Sequence, residues 1–157
     1  MKVSLRKFTF KDLVPYQNWR DEIDARQYMS QFYPKAFNGR DTDHPKLYVW
    51  HVIVVDGVDV GTIWLEKNHP NDNVANLGIL IGRQDKFGQG IGTKSIPLAI
   101  EQSQWALAFK SVELNVRKTN ARAIACYKNC GFTIVSEEQK VNKEGEKISF
   151  AIMQLTL

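Results

Sequence analysis

The chain has 157 residues, 43% of them hydrophobic, enough to bury one core and too few for two ordinary domains, so residues 1–157 are read as one domain. No apolar run reaches the roughly eighteen residues of a membrane span, and Met1 to Phe8 alternates apolar and polar residues where a secretory signal would be continuously apolar; a cytoplasmic protein, monomer or homodimer, is the expectation. The net charge of +4 is local: residues 83–128 hold eight Lys/Arg against three Asp/Glu, whereas 1–82 hold ten of each and 129–157 hold three against four.

A polyanion suits that basic segment, either nucleic acid or a phosphorylated cofactor, and a solvated basic surface fits the counts as well. Along the chain, Lys2 to Phe8 alternates like a strand. Asp12 then opens a short helix that tolerates Pro15 only in its first turn. Residues 30 to 46, with Pro34, Asn38-Gly39 and Pro45, read as a long loop of the functional kind. Leu47 to Val55 and Val58 to Glu66 form a hairpin across Asp56-Gly57. Val74 to Ile81 is a central strand, because so few of its residues are polar.

A helix from about Gly90 to Ala108 follows, with Ile96, Ala99, Ile100, Ser103 and Leu107 on one face and a kink at Pro97. Val112 to Val116 is a strand. Asn120 to Cys130 is a helix with Asn as N-cap and Gly131 past its end. Phe132 to Lys140 and Lys147 to Leu157 close the chain as an antiparallel pair. Period-two and period-3.6 segments thus alternate, which predicts an α/β (α+β) domain.

Phe87-Gly88-Gln89-Gly90-Ile91-Gly92-Thr93-Lys94 lies between an apolar strand and a helix, where glycines let successive N–H groups face an anion. Its spacing matches neither the Walker loop nor the dinucleotide fingerprint, and alone it could be a tight turn. Asn120-Ala121-Arg122-Ala123-Ile124-Ala125-Cys126-Tyr127-Lys128-Asn129-Cys130-Gly131-Phe132 resembles the second signature of the Gcn5-related N-acetyltransferase superfamily, Asn-x-x-Ala-x-x-x-Tyr-x-x-x-Gly-Phe. The glycine loop resembles its first signature, Gln/Arg-x-x-Gly-x-Gly/Ala, with Phe87 at the Gln/Arg position. The N-terminal pattern around Trp19-Arg20 looks more loosely like the branch of ribosomal-protein and aminoglycoside N-acetyltransferases.

The resemblance implies a mixed, mostly antiparallel sheet of six to seven strands flanked by about four helices, and acetyl-CoA as co-substrate. In that reading Phe87, Gly88, Gln89, Gly90, Ile91, Gly92 and Thr93 hold the diphosphate. Ile79, Leu80 and Ile81 pair with the pantetheine arm, Asn120 binds it or serves only as N-cap, and Tyr127 protonates the leaving thiolate. Tyr127 lies two turns after Asn120 on one helix face. An amine acceptor attacks the acetyl carbonyl directly after losing a proton.

Relatives often carry glutamates at two strand positions that are Asn76 and Asn115 here. Glu66 and Glu113 are therefore the candidate proton acceptors, or else solvated strand-end charges, with His51 and His69 behind them. The acidic residues Asp21, Glu22, Asp24, Asp41 and Asp43 could attract a cationic amine, and the aromatic residues Trp19, Tyr28, Phe32, Tyr33 and Phe37 could line its pocket or close the core. The acceptor is read as a small amine such as an aminoglycoside or polyamine, or a protein N-terminus. A regulatory acetyl-CoA-binding module of the same fold is the alternative. Cys126 and Cys130 match no zinc spacing, so no metal is expected, and no nucleic-acid motif accompanies the charge.

Overall fold

A computed structural model describes residues 1–157. One sheet of seven strands runs in the order β1-β2-β3-β4-β5-β7-β6, with β1 Val3–Lys7, β2 Tyr48–Val55, β3 Val58–Glu66, β4 Val74–Ile81, β5 Ser111–Arg117, β6 Thr133–Val141 and β7 Lys147–Thr156. Every neighbouring pair is antiparallel except β4 and β5. The β2–β3 turn has both Asp56 (φ 49°) and Gly57 (φ 81°) left-handed, the backbone that matches the twist of a two-residue hairpin.

Three α-helices accompany the sheet, α1 Leu13–Glu22, α2 Ile91–Gln104 and α3 Ala121–Asn129, with three short 3-10 turns. The expected four helices resolve into these three because the segments at 10–12, 25–27 and 84–86 are single turns. Asp12 precedes α1 but does not cap it; its carboxylate accepts from Thr9 N–H at 2.8 Å and pairs with Arg6 at 2.8 Å, holding α1 to β1. Helix α2 stops at Gln104, short of the expected Ala108, while Leu107 still reaches the core through a turn.

Two cores sandwich the sheet. On one face Ile91, Ile96, Ala99 and Ile100 of α2 pack on Ile53, Ile63, Leu65, Val112 and Leu114. The other face is aromatic over β2–β4: Trp50 stacks on Phe8 at 3.8 Å and meets Tyr16, Tyr33, Phe37 and Trp64 edge-on or tilted. Its indole N–H donates to Thr62 Oγ1 at 2.7 Å, so the polar edge of this side chain is satisfied inside the core. Helix α1 and the loop at 28–37 cover this half, and the same face of β5 and β7 is left for a cleft.

Candidate active site

Strands β4 and β5 stay in register only at Val74–Ser111, Ala75–Val112 and Asn76–Glu113. Beyond that row β4 keeps its β3 partner as far as Ile81, but its other edge has no strand beside it. The two strands part there, and a cleft of about 580 Å³ opens between them. Unpaired strand amides and carbonyls along Leu77 to Ile81 suit an extended ligand that is itself rich in amides. Ile79, Leu80 and Ile81 all line the cleft. Gly78 is the close-approach point: a Cβ there would fall 2.1 Å from the Trp64 ring.

The glycine loop closes one end of this cleft. Gly88 (φ 75°) and Gly90 (φ 77°) are left-handed, and neither would crowd a neighbour, so backbone shape and not space requires glycine. The amides of Gly88 through Thr93 donate to no acceptor in the loop and cap hydrogen bonds, and α2 begins among them. Free donors at a helix N-terminus are the chemistry that holds a diphosphate. Phe87, Gly88, Gly90, Ile91, Gly92 and Thr93 line the cleft; Gln89 contributes no wall, its side chain donating to Asp85 O at 2.8 Å. Phe87 itself carries the Arg122 guanidinium 3.7 Å above its ring, which brings a cation from α3 to the loop.

Asn120 caps α3, its Oδ1 accepting from Ala123 N–H at 3.3 Å, and the residue also lines the cleft. Tyr127 lines the cleft from the same helix. Burial, with Cys126 and Cys130 adding to it, pushes the Tyr127 phenol well above the ordinary tyrosine range. Cys126 also reaches the wall, but its sulfur rests under the first turn of α2, where it accepts from Thr93 Oγ1 at 3.6 Å and would meet a Cβ on Gly92 at 2.9 Å. Pro97 removes the donor that would bond the Thr93 carbonyl, and Cys130 Sγ takes that place at 3.7 Å.

Glu66, Asn76 and Glu113 form one row across β3, β4 and β5. The cleft takes in Glu66 and Asn76 and leaves Glu113, the third member of the row, outside its wall. Glu66 is 4% exposed; its oxygens accept from Gln31 Nε2 at 2.8 Å and Lys35 N–H at 2.6 Å, tying the long loop to β3. Burial raises its pKa, against the opposing pull of those two bonds and the Lys35 charge.

His51 is buried on the opposite face of the sheet, His69 sits in the β3–β4 turn, and neither lines the cleft. The acidic residues also lie elsewhere: Asp43 pairs with Lys7, Asp24 with Arg26, Asp21 accepts from Gln17 and Asp41 from Asn38. Of the expected aromatics, Tyr28 lines the cleft, while Trp19, Phe32, Tyr33 and Phe37 pack on the aromatic core. Arg117, Lys140 and Phe150 complete the wall. Sequence periodicity did not single them out, because only the pairing of β5, β7 and β6 brings them together.

A sheet parted beside one central strand, with free amides at a helix N-terminus in the opening, suits a ligand with an amide-bearing arm and an anionic end, and the family match identifies the class as an acetyl-CoA-dependent transferase. The acetyltransferase (GNAT) domain model matches residues 2–133, and the chain belongs to that family of acetyl-CoA-dependent enzymes. Among solved structures, an aminoglycoside acetyltransferase in complex with coenzyme A is similar at 18% identity, with a TM-score of 0.73 over 99% of this chain and 95% of that one. A spermidine N-acetyltransferase from Vibrio cholerae, in complex with CoA and spermine, is similar at 20% identity, with a TM-score of 0.76 over 98% and 95%. A GNAT-family acetyltransferase from Streptococcus pneumoniae gives 15% identity and a TM-score of 0.69 over 99% of both chains. No curated protein matches the sequence. No helix is long and apolar enough to cross a membrane.

Proposed function

We propose that this enzyme transfers the acetyl group of acetyl-CoA directly to a primary amine of a small molecule. The observation that carries the reading is the meeting, in one cleft, of the free edge of β4, the donor-rich loop at 88–93 and Tyr127. Acetyl-CoA supplies the activated acyl carbon as its thioester. The loop amides bind and orient its diphosphate, and the β4 edge orients the arm between diphosphate and thioester.

Glu66, directly or through a water, accepts the proton that an arriving ammonium must lose. The amine nitrogen then bonds to the acyl carbon, the carbon–sulfur bond breaks with its electron pair leaving on sulfur, and Tyr127 gives that sulfur a proton; the nitrogen sheds its surplus proton to solvent to become the neutral amide, and the phenolate regains a proton from solvent. Direct attack of the amine on the thioester needs no acyl-enzyme.

The test is an amine panel with acetyl-CoA, read as free thiol released. At least one amine is expected to release thiol in step with acetylated product. Tight binding of acetyl-CoA with no release from any amine would mark a regulatory binding module instead.

A further inference from the structure

We propose that the acceptor is a small amine carrying its own anionic group, a carboxylate or a phosphate, and that Arg117 and Lys140 receive this group beside the Phe150 ring. The inference rests on the acetyltransferase reading and narrows its substrate class. The charged residues lining the cleft are Glu66 against Lys35, Lys86, Arg117, Arg122 and Lys140. Lys86 and Arg122 belong to the diphosphate end, one preceding Phe87 in the chain and the other stacked on it. The remaining cations lie towards the acceptor side, and they need another partner.

Arg117 and Lys140 both line the cleft on the strands that flank Phe150. Arg117 and Phe150 are register partners across β5 and β7, about 5 Å apart as neighbouring strands are. Lys140 is the register partner of Ile148, and its Nζ lies 5.3 Å from the Phe150 ring centroid. The Arg117 guanidinium donates to one neutral group, Ser30 Oγ at 3.2 Å. No carboxylate stands within ion-pair distance of either cation, whereas the adjacent Lys118 pairs with Glu137 at 3.4 Å. Glu138, in register with Phe150, is exposed and lies outside the cleft wall. A planar guanidinium with an ammonium nearby is suited to a carboxylate or phosphate, which it can grip through two parallel hydrogen bonds.

The cleft is therefore polarised, with one carboxylate on β3 and two uncompensated cations across it on β5 and β6. Its complement is a molecule with an amine at one end and an anion at the other. Polyamines and aminoglycosides fit it poorly. Each added ammonium meets like charge, and no acidic residue of the N-terminal half other than Glu66 lines the cleft. Lys35, close enough to lower the Glu66 pKa, further reduces the pull on a second ammonium.

The deciding experiment measures thiol release with saturating acetyl-CoA for matched pairs. These are α- and ω-amino acids of increasing length, each beside the amine lacking its carboxylate, and phosphoethanolamine beside ethanolamine, with spermidine and kanamycin as polycations. The anionic member of at least one pair is expected to exceed its partner in kcat/KM by about tenfold or more. The carboxylate and phosphate arms then tell which anion is recognised.

Arg117→Gln and Lys140→Gln should each raise KM for that acceptor and shrink the gap within its pair, with kcat and the Kd for acetyl-CoA changed little. Preference for spermidine, kanamycin or the partners lacking the anionic group, or a KM indifferent to both substitutions, would overturn the proposal and leave the acetyltransferase reading standing. Thiol release from no amine, with acetyl-CoA bound, would overturn both.

Discussion

Tyr127 and Glu66 are shifted the same way by burial, with opposite consequences for catalysis. A phenol pushed above its ordinary value of about 10 keeps its proton at the alkaline pH where amines become nucleophilic, so Tyr127 stays a competent acid there. Tyr127→Phe should lower kcat by about a hundredfold, in the range of a lost general acid, with the Kd for acetyl-CoA nearly unchanged. Comparing single-turnover rates with titration of the cofactor checks this; an unaltered kcat removes Tyr127 from the reaction.

A carboxylate must be ionised to accept a proton, so a Glu66 whose pKa is raised should cut activity as pH falls through a point above the ordinary carboxylate range of about 4. In Glu66→Gln that acid limb of kcat/KM should disappear along with most of the rate. A profile that keeps the limb would assign the proton to another group and leave Glu66 as the anchor of the loop at 31–35.

Among the elements, the loop from Phe87 into α2 carries the largest consequence for binding. A β-branched side chain at Gly90 faces open space yet must adopt a left-handed backbone, which costs about 1–2 kcal/mol or displaces the loop. Gly90→Val should therefore weaken acetyl-CoA by about tenfold or more while the unliganded protein loses about 1–2 kcal/mol at most. Calorimetry of acetyl-CoA binding beside a denaturant curve separates the two effects.

The loop was legible in the sequence because glycine spacing reports local backbone shape. So were the β2–β3 hairpin, whose Asp56-Gly57 turn is fixed by two dihedral pairs, and α3 between Asn120 and Gly131. The 3-10 turns were not, since a single turn at 10–12 or 84–86 has too few residues to show a period.

At the scale of the molecule, the sheet positions what the chain cannot reveal in one dimension. Glu66 and Glu113 looked equivalent as strand carboxylates; although they stand in one row, only Glu66 on β3 lines the cleft. Asp21, Glu22 and Asp24 looked like a lure for cations, but none of the three lines the cleft. Lys140 and Phe150 are ordinary hairpin residues until pairing sets them beside Arg117. Long-range register and strand divergence depend on many weak contacts summed over the fold, and no short window of sequence encodes them.

The close contact of Trp64 on Gly78 links the history of two positions. Any side chain at 78 would drive the indole into Trp50 and its aromatic neighbours, and a smaller residue at 64 would leave a hole behind the strand that lines the cleft. Neither position can drift alone: descendants of this gene should keep the pair or exchange both members together, so divergence at these two codons is expected to be correlated even where the rest of β3 and β4 varies freely.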